Sequence, residues 1–194
     1  MVSVTQTTTG GWLPRGRPLV VEDLDAAPDD GHRYELLDGV LIVSPSPVTR
    51  HQSAVVELAY RLRGACPADL KVLVAPYDVR LADDTVLQPD VLVARRSDLT
   101  AENLPAAPAL AVEVLSPSTR GVDLLLKRER LERAGCASYW VVDPGDADVP
   151  AEARLLALDL VDGRFATVAE VSGAQTWTST HPYPVTVTPR DLVV

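Results

Sequence analysis

The chain reads as an α/β domain on a mixed β-sheet. Three observations lead there. A hairpin signal surrounds Asp38-Gly39, short apolar runs of strand character recur along the chain, and the segments from Thr49 and from Thr119 carry apolar residues at helical spacing. With 194 residues, 46% hydrophobic and 23% charged, there is ample length to bury one core.

The elements follow in order. Residues 1–18 hold a Thr-rich tract with scattered Gly and Pro and are expected to form a loose tail, leaving 19–194 as one domain. Leu19 to Ala26 suits a short helix ending before Pro28. Tyr34-Glu-Leu-Leu-Asp-Gly-Val-Leu-Ile-Val43 sets two apolar runs around an Asp-Gly turn, a strong hairpin signal. Ser44-Pro-Ser-Pro47 breaks the strand and opens a helix from Thr49 to Ala65, with Val55, Leu58, Ala59 and Leu62 on one face.

Leu70–Ala75 and Asp78–Ala82 read as two strands, or as one strand bent near Pro76, before a turn at Asp83-Asp84. Strands carrying Asp90 and Glu113 come next. From Thr119 to Ala134 the pattern is helical, with Ser118 or Thr119 as N-cap and Gly135 as the stop. Ser138–Asp143 is a further strand closed by Pro144-Gly145, and residues 145–152 form a loop. Ala153–Leu160 and Phe165–Val171 pair across Asp162-Gly163, and the tail from Thr176 is β-prone.

Charge and composition narrow the function. A net charge of −9 and a pI near 4.7 argue against a broad basic face for nucleic acid. No apolar run approaches a membrane span, and the N-terminus lacks the charged and apolar regions of a secretory signal, so a cytoplasmic location is expected. Cys66 and Cys136 lack metal-site spacing and read as small apolar residues near helix ends. There is no P-loop, no dinucleotide-binding glycine fingerprint and no Gly-x-Ser-x-Gly elbow.

Glu113 is the most informative residue. It is a lone carboxylate in Pro108-Ala-Leu-Ala-Val-Glu-Val-Leu-Ser-Pro117, whose apolar run suits a strand covered on both faces. Asp90 has a similar setting in Val86-Leu-Gln-Pro-Asp-Val-Leu-Val93. A buried charge without compensation is costly, so each acid needs a metal, a cation or a proton. Two acids on neighbouring apolar strands suggest a divalent-metal site.

Only Lys71 and Lys127 supply lysine. At 100° per residue Lys127 lies in an apolar stripe with Leu124, Leu131 and Ala134, whereas Arg128 and Arg133 lie off it. Two readings fit. Lys127 pairs with Asp123 one turn earlier, or it is held inward to meet Glu113 or its water.

These pieces, in this order, resemble the Uma family of restriction-endonuclease-like proteins within the PD-(D/E)XK nuclease superfamily. The matching strings are Tyr34-Glu-Leu-Leu-Asp-Gly39, Ser44-Pro45 with His51, Gln88-Pro89-Asp90, Glu113-Val-Leu-Ser-Pro117, Asp123 with Lys127, and Tyr139-Trp-Val-Val-Asp-Pro144. The chain departs from the superfamily pattern at Leu115, where a lysine is usual. In Uma-type members the following helix supplies that lysine, and Lys127 stands there. Leu131 replaces a usual tyrosine and Cys136 a common valine, changes that suit packing variation.

The resemblance implies a restriction-endonuclease-like mixed sheet flanked by helices, with an N-terminal β-hairpin and a C-terminal β extension. It implies Mg²⁺, with Mn²⁺ as a substitute, held by Asp90, Glu113 and the backbone carbonyl of Val114. Lys127 would orient the attacking water or stabilise charge at phosphorus, and Glu35 would join a second ion or order its water. The implied substrate is a phosphodiester, most naturally in DNA, with a homodimer where both strands are cut. The alternative is a catalytically weak relative that binds nucleic acid or a protein through the same fold.

Other residues are read more plainly. His51 suits a structural hydrogen bond, Gln88 a strand position, and Tyr139-Trp140 the core, although exposed aromatics would stack on bases. Arg120, Arg128, Arg130 and Arg133 suit a solvated helix face better than phosphate contacts. The amides at the start of the Thr119 helix could meet a phosphate. Ser116 and Ser118 suit capping.

Overall fold

The computed structural model describes residues 12–14, 16–116, 120–145 and 152–193, with the side chains of Val122 and Asp123 outside the description. The chain is mixed α/β. A short helix α1 (Val21–Leu24) precedes the hairpin β1 (Arg33–Leu37) and β2 (Val40–Ser44), whose register sets Leu37 opposite Val40 and Glu35 opposite Ile42. Helix α2 (Thr49–Ala65) follows, and its bounds are those the apolar spacing predicts.

Two sheets then share the strands. A six-stranded mixed sheet holds β3 (Leu70–Val74), β6 (Val91–Arg95), β8 (Leu110–Val114), β9 (Ser138–Asp143), β10 (Arg154–Val161) and β11 (Arg164–Ser172). Its order is β11-β10-β9-β8-β6-β3, antiparallel except where β8 and β9 run parallel. The second sheet runs β2-β1-β5-β4-β7, with β4 (Asp78–Ala82), β5 (Thr85–Leu87) and β7 (Asn103–Leu104).

The two strands expected around Pro76 are therefore separate and belong to different sheets. The run Val86–Val93 likewise divides. Gln88-Pro89-Asp90 separates β5 from β6, because Pro89 lacks the amide a ladder needs. Asp90 thus stands just before β6 rather than within it. The neighbouring relation of β6 and β8 is as expected.

Layering follows from strand alternation. One face of the large sheet, with Val91, Val112, Val114 and Trp140, packs against Ala54, Val55, Leu58 and Leu62 of α2. On the other face Ala111, Tyr139 and Val141 meet Leu37 and Leu87 of the small sheet and Leu131 of helix α3 (Arg128–Ala134). Glu113 alternates with Val112 and Val114, so it points into this second interlayer.

The helix after β8 is not uniform. A π-helical stretch (Val122–Lys127) leads into α3, and Gly135 ends it. Wider π turns shift the rotation per residue, so the 100° stripe is kept only in part. Lys127 and Leu131 are buried, but Ala134 is exposed, as are Leu125 and Leu126. The expected N-cap at Ser118 or Thr119, the Asp123 partner and loop positions 146–151 lie outside the described residues.

Near the N-terminus, Trp12 packs edge-on against Tyr34 and Arg17 pairs with Asp23. The C-terminal segment forms a small two-stranded ribbon, β12 (Trp177–Thr178) with β13 (Thr186–Val187). Among the described residues no helix is long and apolar enough to cross a membrane.

Candidate active site

Four charged residues meet where the second interlayer reaches the end of β8. On β1, alternation puts Arg33, Glu35 and Leu37 on one face, and Leu37 lies in the interlayer, so Arg33 and Glu35 point the same way. Glu113 arrives from β8 and Lys127 from the end of the π-helical stretch. Lys127 Nζ lies 2.9 Å from Glu35 Oε1 and 3.2 Å from Glu113 Oε1. The sharper of the two readings of Lys127 is met: it is turned inward.

Burial is nearly complete. Glu35 is 0% exposed, Glu113 and Lys127 1%, and Asp90 3%. Such acids are tolerable only because cations sit among them. Glu35 Oε1 also accepts the Gln88 backbone amide at 2.7 Å, whereas Oε2 is buried without a hydrogen-bond partner. Gln88 itself sits between β5 and β6 and donates its side-chain amide to Asp78.

Asp90 joins the group from the head of β6. Register places Val91 opposite Val112, so one further step brings Asp90 beside Glu113. Its Oδ1 accepts Arg33 Nη1 at 2.8 Å, while Oδ2 accepts the Val114 amide at 2.8 Å and lies 3.1 Å from His51 Nε2. Burial opposes ionisation, but the hydrogen bond and charge of His51, joined by Arg33, outweigh it and hold the Asp90 carboxyl down at about 2.

Arg33 is the residue that sequence reasoning missed. Burial weighs against its charge, yet Glu35, then Asp90 and Glu113, raise its pKa further above the ordinary arginine value. The available signal was its spacing: Arg33 stands one residue before the strand expected from Tyr34 and two before Glu35, so a strand one residue longer sets both on one face. His51, read as a structural hydrogen bonder, does make a hydrogen bond, and its partner is the candidate acid itself.

A cleft of about 790 Å³ opens on this centre, with Arg33, Ser46, His51, Gln88, Asp90 and Ser116 in its wall. Glu35, Glu113 and Lys127 do not line it; they lie behind Arg33 and Asp90. Among the described residues no three His, Cys, Asp or Glu side chains converge as a metal cage. The donor set instead suits an ion that takes one or two carboxylates and fills its shell with water and phosphate oxygens, as Mg²⁺ does. The unpartnered Glu35 Oε2 is a further carboxylate oxygen that such a centre can draw on.

The remaining candidates belong to other tasks. Tyr139 and Trp140 are fully buried, Tyr139 stacked on Phe165 and Trp140 edge-on to Trp177, so neither offers a face to bases. Arg130 is paired with Asp38, Arg120 with Asp143 and Arg133 with Glu129. Arg133 suits a solvated helix face, whereas Arg130 and Arg120 tie the helix to the hairpin turn and to the end of β9.

The fold is shared with a solved structure from Anabaena variabilis, described as "a putative nuclease belonging to DUF820". The two align with a TM-score of 0.69 at 15% identity, over 91% of this chain and 98% of that one. No functionally curated protein matches. The family model Uma2, described as "Putative restriction endonuclease", matches residues 21–189, and the chain belongs to that family.

Proposed function

We propose that this protein is a divalent-metal-dependent nuclease that hydrolyses phosphodiester bonds in DNA. The observation that carries the reading is Asp90 in the wall of a cleft, beside Glu113, with Lys127 held between Glu113 and Glu35 directly behind it. Membership of a family described as restriction endonucleases supports the same chemistry.

Asp90 and Glu113 would hold Mg²⁺, or Mn²⁺ in its place, with the Val114 carbonyl as a third ligand; Glu35 would serve a second ion. The ion, when bound, would polarise the scissile phosphate and ease deprotonation of the attacking water. Lys127, held between two carboxylates, can donate a hydrogen bond toward the water or toward charge developing at phosphorus. Glu35 positions that ammonium, and the Val114 amide with His51 fixes the Asp90 carboxylate. A homodimer would allow both strands to be cut. A cytoplasmic setting accords with the free thiols Cys66 and Cys136.

A second reading has its own observation. Glu113 and Lys127 are sealed from the cleft, which suits a weak or inactive relative that binds nucleic acid or a protein. One assay separates the two. Single- and double-stranded DNA and RNA are offered to wild type, Glu113→Ala, Glu113→Gln and Lys127→Ala in Mg²⁺ and in Mn²⁺, with circular dichroism to verify folding. Metal-dependent DNA cleavage that disappears in the folded variants is expected. Cleavage that survives in them rejects this site, and binding without cleavage by any form favours the second reading.

A further inference from the structure

Arg33 holds a place that a bound cation would contest. Its Nη1 donates to Asp90 Oδ1 at 2.8 Å, and its charge also faces Glu35 and Glu113. The other Asp90 oxygen is occupied by the Val114 amide and His51. A divalent ion approaching from the cleft therefore meets a carboxylate already neutralised by a guanidinium. Arginine does not give up its proton, so it cannot yield by becoming neutral. It can yield only by moving.

The surroundings make that movement feasible in one direction. Lys127 is enclosed at 1% exposure between Glu35 and Glu113, whereas the Arg33 side chain keeps 23% exposure and forms part of the cleft wall. Arg33 also begins β1, at the open end of the hairpin, opposite Ser44. Its long stem can rotate outward without disturbing the ladder that holds Glu35. A guanidinium so displaced would project into the space where a phosphodiester must lie, and its planar fork suits phosphate oxygens in pairs.

We propose that Arg33 is an exchangeable counter-cation: it neutralises Asp90 until a divalent ion takes that carboxylate, and then turns into the cleft to bind the substrate phosphate. This rests on the metal reading above. In the metal-free protein the arrangement stabilises a buried acid together with His51 and the Val114 amide. In the loaded protein the same residue becomes a phosphate-positioning group, so ion binding and substrate binding are coupled through one side chain.

The test reads binding rather than turnover. Mn²⁺ affinity is measured by isothermal titration calorimetry for wild type, Arg33→Gln, Arg33→Lys and Asp90→Asn. Binding of a short DNA duplex is measured in Ca²⁺ by fluorescence anisotropy. Arg33→Gln should bind Mn²⁺ about tenfold more tightly, the scale of one freed charge-assisted hydrogen bond. The same variant should bind duplex about tenfold more weakly. Damage to the fold would not raise an ion affinity. Arg33→Lys, which keeps the charge, should hold Mn²⁺ near the wild-type value yet still lose duplex affinity. Arg33→Met, which removes the charge but keeps most of the stem, carries the Mn²⁺ test if the Gln variant fails to fold.

Unchanged or weaker Mn²⁺ binding in Arg33→Gln, beside Asp90-dependent binding in wild type, overturns the exchange while leaving the metal site intact. Unchanged duplex binding overturns the phosphate role. No Asp90-dependent Mn²⁺ binding in wild type removes the metal reading itself, and the exchange with it.

Discussion

Lys127 Nζ sits 2.9 Å from Glu35 Oε1, joining the end of a π-helical stretch to the first hairpin of the chain. The pair is sealed from solvent and shares its ammonium with Glu113 at 3.2 Å. It closes the interlayer at the end of β8, so the elements that bury the core also fix the candidate catalytic groups. Stability and site chemistry therefore depend on the same contact.

Removing the lysine should expose that dependence. Lys127→Met keeps most of the side-chain volume but leaves Glu35 and Glu113 facing each other without their shared cation. Breaking a buried ion pair from one side costs on the order of 3–5 kcal/mol. Urea denaturation should show a loss of that size, and the double variant Lys127→Met/Glu35→Gln should recover part of it. A loss below about 1 kcal/mol would mean that the cluster is solvated and relaxed in solution.

Asp90 should give the protein a distinct acid response. Its carboxyl is held at about 2 against an ordinary 3.8, so ionised Asp90 favours the folded state. The contribution is complete above the ordinary value and drains away as pH falls from about 4 through 2, amounting to about 2 kcal/mol. Denaturation midpoints across that window should fall more steeply for wild type than for Asp90→Asn. Parallel curves would contradict the Arg33 and His51 compensation.

How much of this was legible in sequence depended on whether the signal was local. The Asp38-Gly39 hairpin, α2 and the strand Ser138–Asp143 emerge where spacing and turn residues place them, because each is specified by its own side chains. Glu113 and Lys127 stood out as charges in apolar patterns, and they do meet. The split of Leu70–Ala82 between two sheets was not legible, because strand partners are chosen by distant residues. The two-residue β7 (Asn103–Leu104) gave too little pattern to see. Arg33 was overlooked because a charge next to a strand's start usually faces water; its inward partner, Asp90, comes from the distant segment before β6.

The two cysteines should differ sharply toward thiol reagents. Burial pushes the Cys136 thiol up to about 12, and its Sγ donates to the Ser138 carbonyl, so almost no thiolate forms at neutral pH. Cys66 caps the end of α2 and is partly exposed. A chromogenic disulfide reagent at pH 8 should label Cys66 in the native protein and reach Cys136 only in urea. Rapid native labelling of both would show that the interlayer around Leu131 opens readily.

The two hairpin turns should respond unequally to the same substitution. Gly39 (φ 75°) and Gly163 (φ 77°) both lie in the left-handed region, where an added Cβ costs about 1 kcal/mol. At Gly163 that Cβ would meet nothing within 4 Å, whereas at Gly39 it would stand 2.6 Å from Pro18 Cβ and 3.2 Å from the Leu19 carbonyl oxygen. Gly163→Ala should therefore cost about 1 kcal/mol and Gly39→Ala at least about twice that, since the N-terminal segment must shift to admit the methyl group. The Gly39 turn also fixes the register that sets Glu35 opposite Ile42 and Arg33 opposite Ser44. Gly39→Ala should thus weaken Mn²⁺ binding as well as stability, while Gly163→Ala leaves Mn²⁺ binding unchanged. Equal costs at the two glycines would mean that residues before Leu19 do not pack on the turn in solution.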